Sequence, residues 1–212
     1  KELSAFSEGS HVTDISTEIA KAGKAALLND DILNHLLDEL NGDSRRNRQN
    51  AAAALNVVAK EDPERVAKNA DDFVDALDRD EARTRWESLE VLTRIVPVNS
   101  RVCDKAVDGA ESSIFDGDSG PVRLAAMRFL CKLGVTTDKR SERVWPLIDE
   151  GIQCYHGDIE FDDMLTALTE FSTGALAPEV KKAFADRMRF DAEHGRGSLR
   201  HRAQAIVENL EA

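Results

Sequence analysis

Four arginines recur near the starts of helical stretches, at Arg48, Arg85, Arg123 and Arg200. Guanidinium groups in a row could hold phosphates through paired hydrogen bonds. The same row could instead join each helical unit to an acid or a carbonyl of the next. Repetition favours this second use, because an active site needs a given residue once. Two loops carry oxygen ligands at short spacing: Asp116, Asp118 and Gly120, then Asp158, Glu160 and Asp162. A calcium loop of the EF-hand kind needs glycine at its sixth position and a bidentate glutamate at its twelfth. Counted from Asp158 those positions hold Asp163 and Thr169, and from Asp116 they hold Pro121 and Met127. Both loops therefore read as turns and helix caps.

The other reactive residue types are scattered. His11, His35, His156, His194 and His201 share no metal-ligand or triad spacing with Cys, Asp or Ser. The run His194-Gly195-Arg196-Gly197-Ser198 could cradle a phosphate ahead of the last helix, or form a turn with Ser198 as N-cap. Cys103, Cys131 and Cys154 are odd in number and far apart, which suits neither a disulfide framework nor a zinc site. They read as buried small apolar residues in a reducing, cytoplasmic setting. No metal site, no cofactor and no catalytic residue is expected.

The elements that would position these residues follow from a repeated pattern. A long side chain is followed by a small residue three positions on and a large apolar one four further. It appears as Arg48-Ala51-Leu55, Arg85-Ser88-Leu92, Arg123-Ala126-Leu130, Met164-Ala167-Phe171 and Arg200-Ala203-Val207. Offsets of three and seven place the members near one side of a helix. Successive copies lie 37, 38, 41 and 36 residues apart. Second helices with their own stripes fall between them: Val66, Ala70, Phe73, Val74 and Leu77; then Cys103, Ala106, Val107, Ala110 and Ile114; then Val180, Ala183, Phe184 and Met188. Pro63 and Pro178 stand where a first helical turn tolerates proline. The spacing also predicts a first pair at about Asp14–Leu28 and Asp31–Leu40, and an unpaired last helix at Leu199–Leu210.

The 212 residues carry a net charge of −12, unevenly spread. Residues 1–120 hold 15 basic and 25 acidic side chains, residues 121–212 hold 13 and 15, and residues 61–90 alone hold 11 acidic against 5 basic. Such a field repels phosphate backbones and lipid surfaces and attracts basic partners. No apolar run approaches the roughly 18 residues of a membrane span. Lys1–Ser10 lacks the basic start and apolar stretch of a signal peptide.

The segments Asp62-Pro63-Glu64-Arg65-Val66 and Arg123-Leu124-Ala125-Ala126-Met127-Arg128-Phe129-Leu130 resemble the second-helix entry and first-helix signature of HEAT repeats, with armadillo repeats the nearest neighbour. The resemblance covers about Arg45–Ala212, and the first pair fits it poorly. It implies an all-α, right-handed α-solenoid of about five antiparallel helix pairs plus a terminal helix. The expected single domain spans 1–212, with repeats at about 13–42, 44–79, 81–116, 119–156 and 159–194 and a capping helix at 198–211. It also implies second helices on the concave side. There the polar positions opposite the apolar stripes are Lys68, Asp71, Asp72, Asp75, Asp104, Lys105, Asp108 and Glu111, with a cationic end at Lys182, Asp186 and Arg189. The expected function is a non-catalytic protein-interaction scaffold or adaptor for a basic or mixed-charge protein or peptide. The alternative is a HEAT-like-repeat DNA glycosylase or DNA-binding protein, with Trp86 and Trp145 as its aromatic residues. The acidic balance weighs against nucleic acid. Self-association is left open, through ends such as Ile15 and Leu210.

Overall fold

Short polar side chains set the helix starts. Asn29 accepts the N–H groups of Asp31 and Ile32 at 2.9 and 3.2 Å. Ser44, Ser119 and Thr137 each accept the N–H three residues on, at 3.3, 3.4 and 3.2 Å. Each satisfies a donor that a helix start leaves without a partner. The structure is a computed structural model and describes residues 12–212; His11 and the Lys1–Ser10 stretch lie outside the described residues. The described residues are helices and connecting turns, with no strand among them.

The chain divides into two compact units, Lys1–Gly109 and Ala110–Ala212. In the first, α1 (Val12–Leu28) and α2 (Asp30–Asn41) form a pair, and α3 (Arg45–Glu61) packs on both. Then come α4 (Glu64–Ala67), α5 (Ala70–Ala76) and α6 (Ala82–Ile95), which packs on α3. The unit ends with α7 (Ser100–Cys103), a 3-10 turn at Asp104–Ala106 and the start of α8 (Val107–Ile114). The second unit holds α9 (Gly120–Gly134), α10 (Asp138–Tyr155), α11 (Phe161–Ser172), α12 (Pro178–His194) and α13 (Gly197–Glu211). There α9 packs on α10 and α11, and α13 on α11 and α12.

The recurrent pattern proves to be core. Its small members Ala51, Ser88, Ala126, Ala167 and Ala203 are all buried, as are Leu55, Leu92, Leu130, Phe171 and Val207. Small residues let neighbouring helices approach, and the large residues then fill the space between turns. In α3 the four alanines Ala51–Ala54 are all buried, so that helix is enclosed on more than one side. In the second unit Phe129, Phe171 and Phe184 are fully buried; Phe171 and Phe184 lie 5.6 Å apart, tilted by 45°.

The second helices differ from the sequence expectation. The stripe from Val66 to Leu77 reads as one helix, but Lys68 and Asn69 separate α4 from α5. Around the break the N–H of Asn69 bonds the carbonyl of Val66 at 2.9 Å and that of Asp72 bonds Asn69 at 3.0 Å. These are the tighter three-residue bonds of a 3-10 turn. Asn69, Asp71, Asp72 and Asp75 are weak helix formers because their side chains compete for backbone groups. The next second helix is interrupted in the same way at Asp104–Ala106.

Several smaller expectations also change. A proline ordinarily marks a helix start or a kink, but Trp145-Pro146 lies well inside α10, which starts at Asp138, with Pro146 on the exposed side. Cys103 and Cys131 are buried, and burial pushes the Cys131 thiol far above its usual pKa, but Cys154 is exposed. Ser198 lies inside α13, whose N-cap position is Arg196; the adjoining Gly197 has φ +55°, a left-handed conformation that glycine adopts without strain. Leu210 is buried within its own unit and offers no exposed end, whereas Ile15 is half-buried. In the first pair, which fits the resemblance poorly, α1 has the same 17 residues as α3 and α2 has 12.

Candidate functional site

Two of the recurring arginines are bridges. Arg48 donates from Nε to Glu81 at 2.7 Å, and its Nη1 bonds the carbonyls of Gly42 and Asp43 at 3.0 and 2.8 Å. Arg123 repeats the arrangement, with Nε on Glu160 at 2.7 Å and Nη1 on the carbonyl of Asp116 at 2.9 Å. Glu81 and Glu160 each occupy the N-cap position of the following first helix, α6 and α11. Both carboxylates are buried, at 2% and 7% side-chain exposure. A guanidinium committed to a buried carboxylate and to carbonyls has few donors left for a ligand. Arg200, in the last helix, is exposed.

The acidic loops resolve in a similar way. Asp116 accepts the N–H groups of Asp118 and Ser119 at 2.8 and 2.9 Å, closing the turn before α9. Glu160 belongs to the Arg123 bridge. Among the described residues no group of three His, Cys, Asp or Glu side chains is arranged to hold a metal ion. Trp145 packs against Phe184 with ring centroids 5.1 Å apart and tilted by 43°, so it is anchored to the core of its unit, and Trp86 is half-buried.

One cleft stands out in the first unit, where the two interrupted second helices face each other. Its volume is about 580 Å³. Lys68, Asp71 and Lys105 line it, all three among the positions expected from sequence. Lys105 donates to both Asp71 oxygens, at 3.0 and 3.2 Å, across the cleft wall. Glu64, Val98, Asn99, Arg101 and Val102 line it too, and the sequence reading missed them. They belong to helix entries and to the turn after α6, where a stripe analysis has no face to assign. The available signal is Val98, an aliphatic residue that is 40% exposed.

The remaining expected residues are dispersed. Asp72 is tied to the framework, accepting from Asn41 at 3.1 Å. Asp75 and Asp108 are exposed and Asp104 is half-buried, all on second-helix segments of the first unit but outside the cleft lining. Glu111 is exposed and falls in the second unit. Lys182, Asp186 and Arg189 lie together on α12. Lys182 bonds Asp186 at 2.9 Å and holds its carboxyl below the usual range, and Arg189 bonds Glu211 at 2.8 Å. This end is thus a set of compensated ion pairs rather than a cationic patch.

The charge split also looks different once the units are known. Residues 1–109 hold 15 basic and 22 acidic side chains, a net of −7; residues 110–212 hold 13 and 18, a net of −5. A division at residue 120 overstates the contrast, because Glu111, Asp116 and Asp118 belong to the second unit. The acidity that remains distinctive is local, in residues 61–90.

Comparison with known proteins bears on the fold. No protein-family model and no curated protein matches the chain. Among solved structures it is similar to computationally designed armadillo repeat proteins for modular peptide recognition, at 14% identity and a TM-score of 0.68 over 94% of each chain. A designed armadillo repeat protein in complex with the peptide (KR)4 matches at 13% identity and a TM-score of 0.72, over 96% of this chain and 95% of that one. A HEAT-like repeats protein from the archaeon Thermococcus onnurineus matches at 16% identity and a TM-score of 0.56, over 97% and 98%. Together with the paired helices and the buried repeat pattern, these likenesses show an all-α helical-repeat fold of the HEAT and armadillo type.

Proposed function

We propose that the chain is a non-catalytic scaffold that holds a basic or mixed-charge peptide segment of a protein partner along its second helices. The observation that carries this reading is the cleft at Lys68, Asp71 and Lys105, set among the exposed acids of the second-helix segments. Asp75 and Asp78 are exposed there and offer carboxylates to basic side chains. A similar fold binds the (KR)4 peptide in a designed protein, which supports a peptide as the occupant. The buried thiols Cys103 and Cys131, neither in a disulfide, suit the reducing cytoplasm that the proposal assumes.

Fluorescence anisotropy with a labelled peptide of alternating Lys and Arg tests the reading. Saturable binding that weakens between about 50 and 200 mM salt is expected, since these contacts lie at the surface. A mobility-shift titration on duplex DNA runs alongside. Micromolar DNA binding with a steep salt dependence, and no peptide binding, would overturn the proposal in favour of a nucleic-acid protein.

A further inference from the structure

The cleft is cationic within an acidic unit. Lys68, Arg101 and Lys105 line it against Glu64 and Asp71, three cations to two carboxylates. Lys105 and Asp71 are bonded to each other. Lys68 and Arg101 are exposed, and among the described residues neither is engaged in an ion pair. The two interruptions of the second helices produce this arrangement. Lys68 stands in the gap between α4 and α5, and Lys105 in the 3-10 turn that follows α7. Arg101 comes from α7, and Val98 and Val102 add aliphatic wall between the cations.

We infer that the cleft is an anchor for one acidic side chain of the bound peptide, an Asp or Glu followed by an aliphatic residue. The inference rests on the proposed function and makes it more specific: the segment has mixed charge, with an acid in the cleft and basic residues on either side. Lys68 and Arg101 meet the carboxylate, and the aliphatic side chain covers Val98 and Val102. Flanking basic residues then face Asp75 and Asp78, both exposed beyond the cleft on the same stretch of chain. A wholly acidic peptide would be repelled by the net −7 of this unit, so the anchor acts only within a basic context.

Three labelled peptides test it on the full chain: an alternating Lys/Arg repeat, the same repeat with a central Glu-Val, and the same with a central Gln-Val. The Glu-Val peptide is expected to bind about fivefold tighter than the Gln-Val peptide, the scale of one or two exposed charge pairs. In a Lys68→Glu/Arg101→Glu variant that preference should vanish or invert, while the Lys/Arg repeat binds at least as well as before. Should circular dichroism show that variant unfolded, Lys68→Gln/Arg101→Gln takes its place and should lose most of the preference. Equal affinity for the Glu-Val and Gln-Val peptides would overturn the anchor and leave the scaffold reading standing. Absence of binding by all three would overturn both. A fourth labelled peptide, wholly acidic, checks the basic context: its binding tighter than the Glu-Val peptide would overturn the anchor as stated.

Discussion

The two units solve the same packing problem with different second helices. In the first unit α2 runs unbroken, but the two second helices that follow it are interrupted, at Lys68–Asn69 and at Asp104–Ala106; in the second, α10 and α12 run unbroken for 18 and 17 residues. Proline does not explain the contrast, because Pro146 lies inside the continuous α10. Both interrupted segments carry side chains that compete with the backbone, Asn69, Asp71, Asp72 and Asp75 in one and Asp104 and Asp108 in the other, although α2 stays whole with Asn34 and Asp38 inside it. In α10 the apolar contacts of Val144, Ile148 and Ile152 hold the helix through its proline. Interrupted helices expose backbone turns and a cleft, whereas continuous ones present long solvated faces.

The largest test of this contrast uses what the units share. Arg48→Ala strands the buried Glu81 carboxylate and is expected to cost about 3–5 kcal/mol in urea unfolding. Arg123→Ala strands Glu160, which is somewhat more exposed, and should cost about 2–3 kcal/mol. Each unit also has its own reporter, Trp86 in the first and Trp145 in the second. Single-tryptophan variants, Trp86→Phe and Trp145→Phe, let each unit be followed alone. A single domain predicts coincident transitions, and Arg48→Ala should shift both together. Transitions that separate would divide the protein into two folding bodies.

Pro146→Ala probes the continuous helix. It restores an intrahelical donor on the exposed side of α10 and should stabilise the protein by about 1–2 kcal/mol. A loss of stability would show that the proline shapes a bend on which packing depends. The smallest effects belong to the surface pairs between consecutive second helices. Arg187 bonds Asp149 at 2.6 and 3.2 Å, so Arg187→Ala should cost about 1 kcal/mol at low salt. Lys105→Ala, at a pair more exposed on both sides, should cost no more than about 0.5 kcal/mol. Thermal melts in low and high salt should narrow both differences.

The repeat was legible in the sequence because helix packing writes a period into it. Arg48-Ala51-Leu55 and its relatives show their spacing without any knowledge of contacts, and the ends of α1, α2 and α13 followed within two residues. The interruptions were hidden by the same reading. The stripe Val66-Ala70-Phe73-Val74-Leu77 keeps its apolar face across the break, since one tight turn changes the rotation little. Of the cleft, Lys68, Asp71 and Lys105 could be expected from helix faces. Arg101, Val98 and Asn99 could not, because they approach from an entry turn whose direction depends on tertiary contacts. The α12 residues were found as a group, but their bonds to one another and to Glu211 involve side-chain choices that spacing does not encode.

The Arg–Glu bridge also limits how such a sequence can be rearranged. The acid stands at the start of one helix pair and its guanidinium in the pair before, so each bond is a rule about neighbours. A pair containing Arg123 can be followed by one that begins at Glu160; followed by a copy of the pair that begins at Ser119, it would set a guanidinium against a hydroxyl. Duplication, deletion and shuffling of helix pairs are therefore unequal events. Joints that match acid to arginine would survive recombination, and the order of pairs along the chain is in that sense inherited with the bond.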